Sequence, residues 1–213
     1  MKKSIIINGT PFYYESEDTE LTLDNVKPIS QQEGAAILKI TRKLLTEKNI
    51  TFYLSFGTLL GAVRDKAIIK GDQDVDVFIT DEESLIENLP YFYENGLKII
   101  RIHDGDLYSF RVNESCYIDI YILREPTQWP WKKNYVSLNG WIMPKRYFEK
   151  FDTIFFLDDF YNCPANPESL LSWWYGNDWR IPKSSKGTYE VWSSRMWKLL
   201  LYYKNRIKRM FIQ

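Results

Sequence analysis

Cysteine and histidine are scarce: two cysteines, Cys116 and Cys163, and one histidine, His103, in 213 residues. Two thiols can make one disulfide at most, which excludes a disulfide framework. A structural zinc site takes about four Cys/His ligands, and three scattered residues do not supply it. The thiols therefore read as buried and inert, and His103, beside an expected turn, as a surface residue. Net charge is missing as well. Lys plus Arg and Asp plus Glu each total 28, so there is no global basic field for gripping nucleic acid, and no nucleic-acid partner is expected. No apolar run approaches the roughly 20 residues that cross a bilayer, and Ile5-Ile6-Ile7 is too short for a signal-peptide core. The expected location is the cytoplasm.

What remains is an ordinary soluble balance, 45% hydrophobic and 26% charged, with aromatics high at 16%. That favours one well-buried domain, and the aromatics read first as core. The expected layout is an N-terminal arm at 1–29, a catalytic domain at 30–188 and a basic amphipathic helix at 189–213.

The arm carries a hairpin signal at Asn8-Gly9, between Ile5–Ile7 and Phe12–Tyr14. Ser30-Gln31-Gln32-Glu33 fits a capping box, and Ile37, Ile40, Leu44 and Leu45 continue at helical spacing to about Lys48. Strands are expected at Ile50–Ser55, Asp74–Thr80, Leu97–Ile102, Leu107–Asn113 and Tyr117–Leu123. A short helix is expected from Thr58 to Arg64 and another from Asp81 to Asn88. Residues 124–165 read as irregular. Asn166-Pro167 opens a helix ending at Gly176, and a last helix runs from about Tyr189 to Arg209. The pattern is α+β, with a central mixed or antiparallel sheet flanked by helices.

The chemistry concentrates in carboxylates. Residues two apart on a strand share a face, so Asp74 and Asp76 project side by side, with Asp72 one step earlier as an outer or solvated group. Two half-buried neighbouring carboxylates repel each other, and a hard oxygen-seeking cation such as Mg²⁺ or Mn²⁺ relieves that. Asp119 interrupts the apolar run around Ile118 and Ile120, a costly position for an unpaired charge. Brought beside the pair, it makes three carboxylates that could hold two metal ions and assist displacement at phosphorus. Gly57-Thr58, after a strand and opening a helix, suits phosphate oxygens. Arg64 and Arg111 are candidates for neutralising phosphate, Arg111 equally for a salt bridge. Asp178 and Trp179, beyond Gly176, either line a donor or acceptor pocket or close the core.

Taken together, Gly57-Thr-Leu-Leu-Gly-Ala-Val-Arg64, Asp72-Gln-Asp-Val-Asp76 and Tyr175-Gly-Asn-Asp-Trp179 with Pro182 resemble the LicD/fukutin-related family of the nucleotidyltransferase superfamily, over roughly residues 30–182. The resemblance implies a nucleotidyltransferase-like fold. It also implies transfer of phosphocholine, or of a polyol phosphate such as ribitol or glycerol phosphate, from a CDP-linked donor to a glycan or glycolipid hydroxyl, with release of CMP. Asp74, Asp76 and Asp119 take the metal and catalytic roles, and Gly57, Thr58, Arg64, Arg111 and Asp178 the donor-binding ones. The chain departs from the family in Ile69-Lys70-Gly71, where Ile-Pro-Trp is usual, and in Gln73. The alternatives are a true nucleotidyltransferase releasing pyrophosphate and a non-catalytic binding module. The last helix interleaves Arg195, Lys198, Lys204, Arg206, Lys208 and Arg209 with apolar residues. It either lies on the inner face of a membrane or packs on the domain with a solvated basic side.

Overall fold

A computed structural model describes residues 1–17, 27–103, 105–112, 116–126 and 134–182. The expected C-terminal helix and its membrane contact lie outside these residues. No helix among the described residues is long and apolar enough to cross a membrane. The chain divides into two compact units, Met1–Ala165 and a second beginning at Asn166.

The first unit opens with the hairpin β1 (Lys2–Ile7) and β2 (Thr10–Glu15), turned at Asn8 and Gly9, both with positive φ. Helix α1 (Gln31–Glu47) starts at the anticipated capping box: Ser30 Oγ accepts the Glu33 N–H at 3.2 Å, and the Glu33 carboxylate accepts the Ser30 N–H at 2.8 Å. Its buried stripe includes Ile37, Leu38, Leu44 and Leu45. Then come β3 (Phe52–Leu54), α2 (Phe56–Leu60), a π-helical turn at Gly61–Asp65, and β4 (Val75–Ile79). Where one helix is expected near Asp81 there are two, α3 (Glu82–Glu87) and α4 (Leu89–Glu94), because Asn88 ends the first and Pro90 falls in the opening turn of the second.

Strands β5 (Lys98–His103), β6 (Leu107–Arg111) and β7 (Tyr117–Arg124) complete the central path, ordered β3-β4-β7-β6-β5. Only β4 and β7 run parallel on that path; the other neighbours are antiparallel. Every residue of β4 is buried. Val75, Val77 and Ile79 line one face, and Asp76 and Phe78 the other. Much of the aromatic content goes to that second face: Phe78 stacks on Tyr53 at 5.0 Å and meets Phe148 edge-on at 5.6 Å.

Residues 134–165, expected to be irregular, contain four strands: β8 (Tyr135–Leu138), β9 (Trp141–Pro144), β10 (Phe151–Phe156) and β11 (Asp159–Pro164). The β8–β9 turn is Asn139-Gly140, both left-handed, while the β10–β11 turn puts Leu157 and Asp158 at φ 49° and 62°. Leucine is an uncommon occupant of such a turn, so composition does not announce it. The second unit opens with α5 (Pro167–Tyr175), whose Asn166 side chain caps the Ser169 N–H.

The π-helical turn makes a steric demand at Gly61. Its φ of −59° is ordinary, but a Cβ there would lie 2.5 Å from the Ala67 carbonyl oxygen. Backbone cannot swing aside as a side chain can, so Gly61→Ala should destabilise the protein by about 1–3 kcal/mol, the usual cost of overpacking. Urea denaturation checks this, and an unchanged midpoint would show that the turn relaxes freely.

Candidate active site

Four strands lay one row of polar side chains across the sheet. Asp76 on β4 pairs in register with Asp119 on β7, Asp119 with Ser109 on β6, and Ser109 with Arg101 on β5. Directly opposed residues on neighbouring strands present side chains to the same face, a few ångströms apart. Asp74, immediately before β4, adds a third carboxylate. One carboxylate oxygen from each of Asp74, Asp76 and Asp119 lies within 4.8 Å of the others, so the three aspartates singled out in the sequence do converge.

Asp76 is positioned from the chain that precedes it. The Gly57 N–H donates to Asp76 Oδ2 at 3.0 Å, the Asp76 N–H donates to Thr58 Oγ1 at 2.8 Å, and the Ser55 N–H donates to the Asp76 carbonyl at 3.1 Å. Gly57 leaves room for this approach: a Cβ would sit 3.0 Å from a carboxylate oxygen of Asp72 and 3.1 Å from one of Asp76, so both side chains would have to shift. Phe56 enters α2 at φ 34°. Its ring packs edge-on against Tyr121 at 4.8 Å, and the Tyr121 hydroxyl donates to Asp76 Oδ1 at 3.1 Å. The Tyr117 hydroxyl hydrogen-bonds Asp74.

Burial and mutual repulsion dominate the electrostatics. Desolvation, with the charges of Asp119 and Asp72, pushes the Asp74 carboxyl up to about 8. Desolvation, then Asp74, Asp72 and Asp119, raises Asp76 well above the carboxylate range. Asp119 is raised by burial although Arg101 and Ser109 oppose the rise. Asp72 is pushed by burial to about 6. A cluster held at this cost of desolvation and repulsion, and offering only oxygen donors, can hold a hard divalent cation.

The remaining anticipated residues each have a defined local setting. The Gly57 and Thr58 groups expected on phosphate are engaged with Asp76. Arg64 forms a two-pronged pair with Asp65 at 2.7 Å per bond. Arg111 pairs with Glu17 of the N-terminal arm, the salt-bridge alternative. Asp178 lies in the second unit, in the loop after Gly176; there Trp179 is buried under the Arg180 guanidinium, 4.2 Å from its ring centre. Arg101, Ser109, Tyr117 and Tyr121 went unnoticed in the sequence, since singly they look like ordinary strand residues. Only the register puts them beside Asp119, Asp74 and Asp76.

The family model described as LicD/FKTN/FKRP, nucleotidyltransferase domain, matches residues 49–166, from just before β3 to the start of α5. The chain belongs to the LicD/FKTN/FKRP family. Among curated relatives of this family member, ribitol-5-phosphate transferase FKTN of Homo sapiens is 29% identical over 160 residues, covering 71% of this chain and 34% of that protein. An uncharacterised protein of Rickettsia typhi is 37% identical over 133 residues, covering 57% of this chain and 41% of the relative. The chain thus spans between a third and a half of these relatives' lengths. Among solved structures, the antibiotic-resistance factor ANT(2'')-Ia matches with a TM-score of 0.50 at 11% identity, covering 84% of this chain and 96% of that one. The fold is nucleotidyltransferase-like, with its mixed sheet flanked by helices.

Proposed function

We propose that this LicD/FKTN/FKRP-family protein is a metal-dependent transferase. It moves a substituted phosphate, either phosphocholine or a polyol phosphate such as ribitol or glycerol phosphate, from a CDP-linked donor to a glycan hydroxyl. The observation that carries the reading is the convergence of Asp74 with the in-register pair Asp76 and Asp119. These three residues would hold Mg²⁺ or Mn²⁺, which when bound neutralises the donor diphosphate and polarises the phosphorus under attack.

The remaining steps belong to the chain. Gly57 and Thr58 fix Asp76, and Tyr117 and Tyr121 orient Asp74 and Asp76. The acceptor hydroxyl oxygen attacks the distal phosphorus, the bond from that phosphorus to the CMP oxygen breaks, and the hydroxyl proton needs a base. Asp119, one of the three aspartates expected in catalytic roles, has both oxygens engaged by Arg101, and one also by Ser109. Asp72 borders the site across Gly57 from Asp76, and burial raises its carboxyl to about 6. A base poised near neutrality is an effective one, so we assign proton acceptance to Asp72.

Incubation with Mg²⁺, a glycan acceptor and CDP-ribitol, CDP-glycerol or CDP-choline should release CMP. Consumption of CTP or ATP with appearance of pyrophosphate, and no CMP from any CDP-linked donor, would establish nucleotidyl transfer instead. The relation to FKTN, whose name describes a ribitol-5-phosphate transferase, favours the first outcome.

A further inference from the structure

The chain turns into the carboxylate cluster at a strained residue. Phe56, the first residue of α2, has a φ of 34°, in the left-handed region that a bulky side chain rarely adopts. Glycine takes that conformation without the steric cost, so the turn by itself does not call for phenylalanine. Strain of this kind persists only where the surroundings hold it, and it clusters at functional sites. What phenylalanine adds is a ring. That ring meets Tyr121 edge-on, with centroids 4.8 Å apart and planes at 76°, and it also meets Trp141 of β9 at 6.0 Å and 74°.

We propose that Phe56 is a positioning residue for metal binding: its ring holds Tyr121 at the tilt that aims the Tyr121 hydroxyl at Asp76. The proposal rests on the metal reading above and names a residue that shapes one of the metal's ligands without touching the ion.

Two features of the geometry support it. The Tyr121 hydroxyl donates to Asp76 Oδ1 at 3.1 Å, and Tyr121 also hydrogen-bonds Asp119. A phenol has one proton to donate, so the tilt of the Tyr121 ring decides which of the two carboxylates receives it. The aromatic edge contact with Phe56 restrains that tilt. The second feature is the neighbouring residue. The Gly57 N–H donates to Asp76 Oδ2 at 3.0 Å. Successive residues of one turn thus act on both oxygens of Asp76, Gly57 directly and Phe56 through Tyr121. A carboxylate held by a donor on each oxygen keeps one orientation, and partners that orient a metal ligand raise its affinity for the ion. Trp141, meeting the same ring, brings the β8–β9 hairpin into this support.

The test is the Mn²⁺ affinity of the whole chain by calorimetry, with melting curves showing that each variant is folded. Phe56→Leu, which keeps an apolar side chain but no ring, should bind Mn²⁺ about tenfold more weakly, and Tyr121→Phe at least as much more weakly, the usual scale for groups that orient a metal ligand. Phe56→Tyr, which keeps the ring, should bind as the wild type does. The two changes Phe56→Leu and Tyr121→Phe together should cost no more than Tyr121→Phe alone, whereas independent sites would multiply to about 100-fold. Wild-type affinity in a folded Phe56→Leu or Tyr121→Phe protein, or losses that multiply in the double variant, would overturn the proposal and leave the metal site standing. If Phe56→Leu does not fold, Phe56→Gly, which suits the positive φ, takes its place in the same comparison. A wild type that binds no Mn²⁺ would overturn the metal reading, and the proposal with it.

Discussion

Asp76→Asn is expected to abolish transfer, by at least about 10³-fold in kcat/KM, while its metal-free form melts higher than the wild type. The activity loss corresponds to about 4 kcal/mol of transition-state stabilisation. It follows from replacing a charged metal ligand by a neutral amide at the centre of the cluster. Folding should survive because the amide can satisfy both existing partners. Its oxygen still accepts the Gly57 N–H, and its NH₂ can donate to the Tyr121 hydroxyl, which accepts as readily as it donates. The rise in melting temperature follows from burial and repulsion. Desolvation, then the charges of Asp74, Asp72 and Asp119, penalises an ionised Asp76, and a neutral amide escapes that penalty. CMP release and thermal melting after chelation measure the two halves separately. Activity within about tenfold of wild type would take Asp76 out of the mechanism. Lost activity with a lowered melting point would mean that Asp76 is structural.

The parts of this site that depend on neighbours in the chain were legible, and those that depend on strand pairing were not. Asp74 and Asp76 follow from a two-residue period, and Asp119 from the cost of a charge in an apolar strand. The in-register match of Asp76 with Asp119 could be anticipated only as an adjacency. Nothing local distinguishes Arg101 from Arg111, each in a short strand of mixed polar and apolar residues. Register alone sends one to Asp119 and the other to Glu17. The same holds for Gly57. Its motif suggested a phosphate cradle, whereas the approach it permits is to the carboxylates of Asp72 and Asp76. In the fold, the capping box at Ser30 and the hairpin at Asn8-Gly9 were readable because their chemistry is local. Asn139-Gly140 carried the same hairpin signal inside a stretch that its prolines and aromatics made look irregular. Leu157-Asp158 carried none, so the β10–β11 hairpin had no sequence marker at its turn.

Metal affinity and metal-free stability should respond to pH in opposite directions between about pH 5 and 8. Carboxylates at their ordinary value near 3.8 would be fully ionised over this range and neither quantity would change. Here the Asp74 carboxyl is raised by burial and by Asp119 and Asp72 to about 8, and Asp76 is raised too. A carboxyl whose pKa is higher in the folded than in the unfolded chain binds its proton more tightly when folded. Its contribution to stability is fully present below the unfolded value and is lost as pH rises through the folded one. The metal-free protein should therefore lose about 2–4 kcal/mol between pH 5 and 8, or roughly 5–10 °C in melting temperature for a chain of this size. Metal binding needs the same groups deprotonated. Each unit of pH below about 8 lets a proton compete for Asp74, so the apparent Mn²⁺ affinity should fall about tenfold per unit, or roughly 100-fold from pH 8 to 6. Asp74→Asn should flatten most of the stability trend, because it removes the carboxyl raised to about 8 and lowers the repulsion on Asp76 and Tyr117. Melting curves after chelation and Mn²⁺ titrations at matched pH values measure the two slopes. A wild-type melting temperature that climbs from pH 5 to 8 would show that the cluster is ionised and hydrated at neutral pH, and the argument for a cation held by mutually repelling, buried carboxylates would fail with it.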